Sequence, residues 1–84
     1  MKKDITAQDL DNLKDICLKE GLQVLDLDVV WSSAFVRLED YSIPLDILNN
    51  LNESAQNHGF KFYGVIANKT KPDRLDLHFS RLEL

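Results

Sequence analysis

Asp26, Glu39 and His78 are side chains of types that can hold a metal or move protons, and strand pairing in this 84-residue sequence could bring them together. Leu25, Leu27, Val29 and Trp31 alternate with Asp26, Asp28 and Val30, and the alternation resumes from Ala34 to Asp40. This is a hairpin pattern with Ser32-Ser33 as its two-residue turn. That register sets Asp26 opposite Glu39, Asp28 opposite Arg37 and Val30 opposite Phe35. Opposed like charges cost a few tenths of a kcal/mol unless something compensates. Were the strands carrying Glu39 and His78 neighbours, the two side chains would approach, and Gly64 opposite His78 would leave the imidazole open. The simpler reading is stronger: Arg37 or Arg81 neutralises the carboxylates, and His78 is a surface residue. No catalytic residue, metal ligand or cofactor is therefore assigned.

The other reactive types have structural explanations. His58 precedes Gly59 at a helix end, where histidine favours the dipole. Cys17 sits on an apolar helical stripe with no basic neighbour to activate it. As the sole cysteine it excludes an intrachain disulfide and a multi-cysteine zinc site. Lys69, Lys71 and Arg74 cluster on one long turn, with Lys61 and Arg81 at the far end of the same hairpin. Phe60, Phe62 and Tyr63 interleave with Lys61. Basic and aromatic residues together on a sheet can bind single-stranded nucleic acid, which makes these five cations the alternative site. The net charge of −4 opposes that reading, as does the pattern that turns Tyr63 inward. GxGxxG, Walker, HExxH and GxSxG motifs are all absent, so an enzyme is not expected.

The elements that position these residues follow from capping and periodicity. Thr6 and Asp9 form a capping box, with Ile5 and Leu10 as its staple. Leu10, Leu13, Ile16 and Cys17 recur at helical spacing, and Gly21 supplies the stop. Ser42-Ile43-Pro44 opens a second helix with proline in the first turn. Leu48, Leu51 and Ala55 form its stripe, with Ile47 beside it, and Gly59 ends it. Phe60 to Asn68 and Arg74 to Glu83 read as strands around a turn at 69–73. Their register pairs Ala67 with Leu75, Val65 with Leu77 and Tyr63 with Phe79.

The chain thus reads helix-strand-strand twice. Gly21-Leu22-Gln23-Val24 matches Gly59-Phe60-Lys61-Phe62 at a spacing of 38 residues, and Leu10 and Leu13 match Leu48 and Leu51 likewise. The expected fold is α+β, a two-layer αββαββ sandwich: a four-stranded sheet with two helices on one face. Residues 1–84 form one domain, with repeat halves at about 5–40 and 43–84. The order resembles a circular permutation of the ferredoxin-like βαββαβ motif, a likeness of fold that carries no function.

Helices are expected over Leu25, Leu27, Val29, Trp31, Val36, Leu38, Tyr63, Val65, Leu75, Leu77 and Phe79. The opposite face would carry Val24, Asp26, Val30, Phe35, Arg37 and Glu39, then Phe62, Ile66, His78, Leu82 and Leu84. A solvated face is nearly all polar; a mixture of apolar and charged side chains is typical of contact surfaces. Val30, Phe35, Arg37, Glu39, Phe62, Ile66, His78 and Leu82 are accordingly the candidate partner-binding residues. All the net negative charge lies in residues 1–42, which hold five Lys/Arg against nine Asp/Glu, while residues 43–84 hold five against five. An acidic half can steer a basic partner. The expected function is a small protein-binding module: a regulator, inhibitor or immunity-type protein, or a homodimer, with nucleic acid the lesser alternative. Met1-Lys2-Lys3-Asp4 is followed by no apolar run, and no stretch approaches the ~20 apolar residues of a membrane span. A cytoplasmic protein that does not engage membranes is the expectation.

Overall fold

The structure, a computed structural model, describes residues 4–40, 42–67 and 74–82. The element order is α1 (Ala7–Lys19), β1 (Val24–Val30), β2 (Ser33–Leu38), α2 (Leu45–Asn57), β3 (Phe60–Ala67) and β4 (Leu75–Arg81). The four strands form one antiparallel open sheet in the order β1-β2-β4-β3. This is the expected α+β sandwich, with β2 and β4 as the central pair that the permuted ferredoxin-like order requires. The turn at 69–73, with Lys69 and Lys71, lies outside the described residues, as does Leu84.

Both helices start and stop for local reasons. Thr6 Oγ1 accepts the Asp9 N–H at 3.2 Å, and the Asp9 carboxylate accepts the Thr6 N–H at 2.8 Å. Two otherwise orphaned donors are thereby satisfied. Replacing Thr6 with alanine is expected to cost about 0.5–2 kcal/mol, read as a lower urea midpoint; an unchanged midpoint would show that the cap contributes nothing. Helix α2 begins one residue later than the sequence suggests. Pro44 is its N-cap and makes no side-chain cap bond. Gly21 and Gly59 follow the two helices at φ +82°, a left-handed turn that glycine adopts without steric cost.

The core lies between helices and sheet. Leu13, Ile16 and Cys17 of α1 and Leu51 and Ala55 of α2 are buried against Ala34, Val36, Leu38, Phe60, Leu77 and Phe79. Ile5, Leu10, Ile47 and Leu48 pack at its margin. Helix α1 lies over β1 and β2, and α2 lies over β3.

The first hairpin turns one residue earlier than expected. Trp31-Ser32 is the turn, and the register is Val30–Ser33, Asp28–Phe35 and Asp26–Arg37. The slide moves each partner by two residues, so every paired side chain keeps its face. Trp31 adopts φ +53°, unusual for a bulky residue. Two backbone bonds from outside the hairpin hold this turn. The Ile5 N–H donates to the Trp31 carbonyl and the Arg81 N–H to the Ser32 carbonyl, both at 2.9 Å. Trp31 is consequently not a helix-side residue but projects from the turn, 79% exposed.

The edge strands each carry a register shift, between Val24 and Asp26 in β1 and between Phe62 and Gly64 in β3. An inserted residue reverses the faces on one side of it. Val24 and Phe62 therefore pack with the core, where the sequence places them on the open face. Leu25 and Tyr63 occupy the shifts and are exposed. Gly64, at φ +135°, supplies the backbone that the β3 irregularity needs.

Candidate protein-binding sheet face

The face opposite the helices is a grid of three rows across four strands. Val30, Ser33, Ser80 and Lys61 form one row. Asp28, Phe35, His78 and Gly64 form the middle row, and Asp26, Arg37, Asp76 and Ile66 the third. The antiparallel pairing of β2 with β4 creates this grid, because it aligns Phe35 with His78 and Arg37 with Asp76.

The middle row is a stack of rings. The His78 ring lies 4.6 Å from the Phe35 ring at an interplanar angle of 12°, and 5.0 Å from the Tyr63 ring at 25°. Gly64 does face His78, as the sequence suggests, yet the imidazole is flanked by Phe35 and Tyr63 rather than left open. Lys61 Nζ lies 5.0 Å from the centroid of Tyr63, a cation–π distance. The rings thus turn their faces toward one another.

Arg37 anchors the third row. Its Nη1 is 3.9 Å from Asp26, its Nη2 3.8 Å from Asp28 and its Nε 3.5 Å from Asp76. Of the two cations proposed to neutralise carboxylates here, Arg37 is the one in place. Asp26 stands opposite Arg37 rather than Glu39, so the like-charge premise does not hold. Glu39 lies beyond the end of β2, with its N–H on the Gln23 carbonyl at 2.9 Å, while His78 is opposite Phe35. Asp26, Glu39 and His78 do not converge. Among the described residues, no group of three or more His, Cys, Asp or Glu side chains is arranged to hold a metal ion.

Val30 and Ile66 remain on this face as exposed apolar residues, at 56% and 44%. Leu82, just past β4, is half-buried, and its N–H bonds to the Gly59 carbonyl. Phe62 has left the face. Its ring lies 5.2 Å from that of the core residue Phe79. Tyr63 takes its place, a residue the period-two reading turned inward.

The three described members of the basic set, Lys61, Arg74 and Arg81, have separate partners. Arg81 points toward the helices, where it pairs with Asp9 of α1 and lies 5.0 Å over the Phe60 ring. Arg74 Nη1 donates to the Glu39 carbonyl at 3.3 Å. Lys61 covers Tyr63. Burial pushes the Cys17 thiol up to about 12, which keeps it protonated and unreactive near neutral pH. The His58 Nδ1 lies 2.9 Å from the Ser54 carbonyl at the end of α2, in keeping with a role at the helix terminus.

No family model matches this chain, and no curated protein matches it. Among the described residues, no helix is long and apolar enough to cross a membrane.

Proposed function

We propose that the chain is a cytoplasmic protein-binding module that acts by occupying a partner's surface with its open sheet face. The observation that carries this reading is the unhelical face itself: a Phe35–His78–Tyr63 stack flanked by exposed Val30 and Ile66. Aromatic residues set among charged ones are the composition of contact surfaces. The stack favours a protein over a nucleic acid. Bases dock on aromatic faces that are turned outward, whereas these rings are packed against one another. Three rows at roughly 7 Å and four strands at roughly 4.8 Å give a face of about 400 Å². A stable interface covers about 800 Å² per partner. The partner therefore reaches past the face, onto an edge or the exposed Trp31.

Val30 and Ile66 are the cleanest probes, since both are exposed and outside the ring stack. Phe35 is less suitable, because its half-buried ring supports His78 and its strand neighbour is Asp28. The double variant Val30→Asp, Ile66→Asn, which sets no new carboxylate opposite Asp76, and Ile66→Asn alone are expected to keep their circular dichroism and melt within about 4 °C of the parent. Each is expected to lose a protein that the immobilised parent retains from a lysate of the source organism. Retention of the same protein by parent and variants alike would overturn the reading, and selective retention of RNA would move the function to nucleic acid.

A further inference from the structure

We propose that the outer edge of β1, from Asp26 to Val30, receives an extended segment of a partner protein in which basic and apolar residues alternate. The inference rests on the reading above only in taking the partner to be a protein, and it names that partner's chemistry.

The backbone of β1 shows how a strand would dock. β1 is an edge of the sheet, with β2 on its inner side. The two-residue turn makes Val30–Ser33 the closing hydrogen-bonded pair, so Asp26, Asp28 and Val30 direct their backbone groups at β2. Leu27 and Val29 then direct theirs outward. The Leu27 N–H fits this assignment, because it donates to the Oδ1 of its own neighbour Asp26 at 2.8 Å. A carboxylate folded over an outward amide shields the edge from indiscriminate pairing.

The side chains define what fits. On the open side, Asp26 and Asp28 are exposed and share Arg37 at 3.9 and 3.8 Å, longer than hydrogen bonds. On the helix side, Val29 is 41% exposed, so the helix layer stops short of this edge. An added strand alternates between the two sides. Its basic residues meet Asp26 and Asp28, and its apolar residues cover Leu27 and Val29. A basic side chain also draws the Asp26 carboxylate off the Leu27 amide and frees that amide for the new ladder. A second copy of this chain fits poorly, since antiparallel β1 edges would set aspartates against aspartates.

The probe is a capped hexapeptide of alternating valine and lysine, titrated into the full chain and followed by amide hydrogen exchange and two-dimensional NMR. The expected result is slowed exchange at the Leu27 and Val29 amides. Asp26→Asn with Asp28→Asn retains the side-chain acceptor over Leu27 and removes only the charge; it is expected to weaken the peptide about tenfold. An alternating valine–glutamate peptide, or the lysine peptide N-methylated on its pairing amides, is expected not to bind. Equal binding of the N-methylated peptide, equal binding to the double variant, protection elsewhere than β1, or no binding at millimolar peptide would each overturn the proposal. Ile66 lies on β3, at the far side of the sheet from this edge, so the capture result of Ile66→Asn alone is independent. If capture still depends on Ile66 while the peptide fails, the edge proposal alone falls.

Discussion

Replacing Phe79 with alanine is expected to cost about 3–5 kcal/mol. A domain of this length has a total stability of roughly 4–13 kcal/mol, so this one change removes a large share of it. Phe79 is fully buried in the central strand β4, opposite Ala34 of β2 and Phe62 of β3. Ala34 is too small to fill the space left behind. The backbones on both sides are fixed by ladders and cannot collapse inward, so the cavity term adds to the lost transfer energy. Phe79→Leu, which leaves a smaller void, is expected to cost less. Urea unfolding checks both. A fall in midpoint at constant slope is the expected result, and a loss below about 1 kcal/mol for Phe79→Ala would contradict the central packing position assigned to this ring.

Removing Arg81 is the second large effect. Its guanidinium pairs with Asp9, donates to the Asp4 carbonyl at 3.4 Å and lies over Phe60. The alanine variant forfeits that packing and leaves a mostly buried carboxylate without its cation. Breaking a buried pair costs about 3–5 kcal/mol; the partial exposure of this one lowers the expectation to about 2–4 kcal/mol. This cost measures the stranded Asp9 and not the net worth of the pair.

The pH dependence of the Arg81 variant follows from Asp9. Burial pushes its carboxyl up, but hydrogen bonds with the Thr6 backbone and side chain, together with the charge and hydrogen bond of Arg81, outweigh burial and hold it below its ordinary value of 3.8. A depressed folded-state value means that the ionised carboxylate stabilises the fold above the ordinary value. That contribution is lost as pH falls through the lowered one. In Arg81→Ala part of the downward pull is gone while burial remains. The gap between the folded and unfolded values therefore narrows, so Arg81→Ala is expected to lose less stability on acidification than the parent, and the difference between the two proteins is expected to shrink as pH falls. Parallel acid titrations of the urea midpoint check this, and a difference that stays constant with pH would show that Arg81 does not act on Asp9.

The helices were legible because their signals are local. Thr6 with Asp9, and Gly21 and Gly59, each act within a turn or two of chain. The pairing of Val65 with Leu77 and Ala67 with Leu75 was also legible, because those residues alternate without interruption. The errors share one cause. A register shift inserts a residue that period-two reading cannot see, so Val24 and Phe62 were given the wrong face. One trace was present in the sequence: the apolar doublets Val24-Leu25 and Phe62-Tyr63 break alternation at the same 38-residue spacing. The turn was misplaced because Trp31 takes a left-handed φ that tryptophan rarely adopts, held there by the amides of Ile5 and Arg81. Distant partners of that kind leave no mark in the hairpin's own residues. Of the candidate site, Val30, Phe35, Arg37, Ile66 and His78 were placed on the correct face, and Tyr63 was missed with Phe62.

The central β2–β4 pair also shapes how the chain reaches its fold. Each helix-hairpin unit closes over short loops, but β2 and β4 meet only across the whole second helix and third strand. Closing that long loop costs entropy before any contact rewards it. A chain emerging from the ribosome thus completes its first unit with β2 still bare along the side that β4 will occupy. That bare side carries Ala34, Val36 and Leu38, all buried in the finished molecule. Until the second half arrives, this apolar strand edge is open to any neighbouring chain, and the interval between the two halves is a window for misassembly.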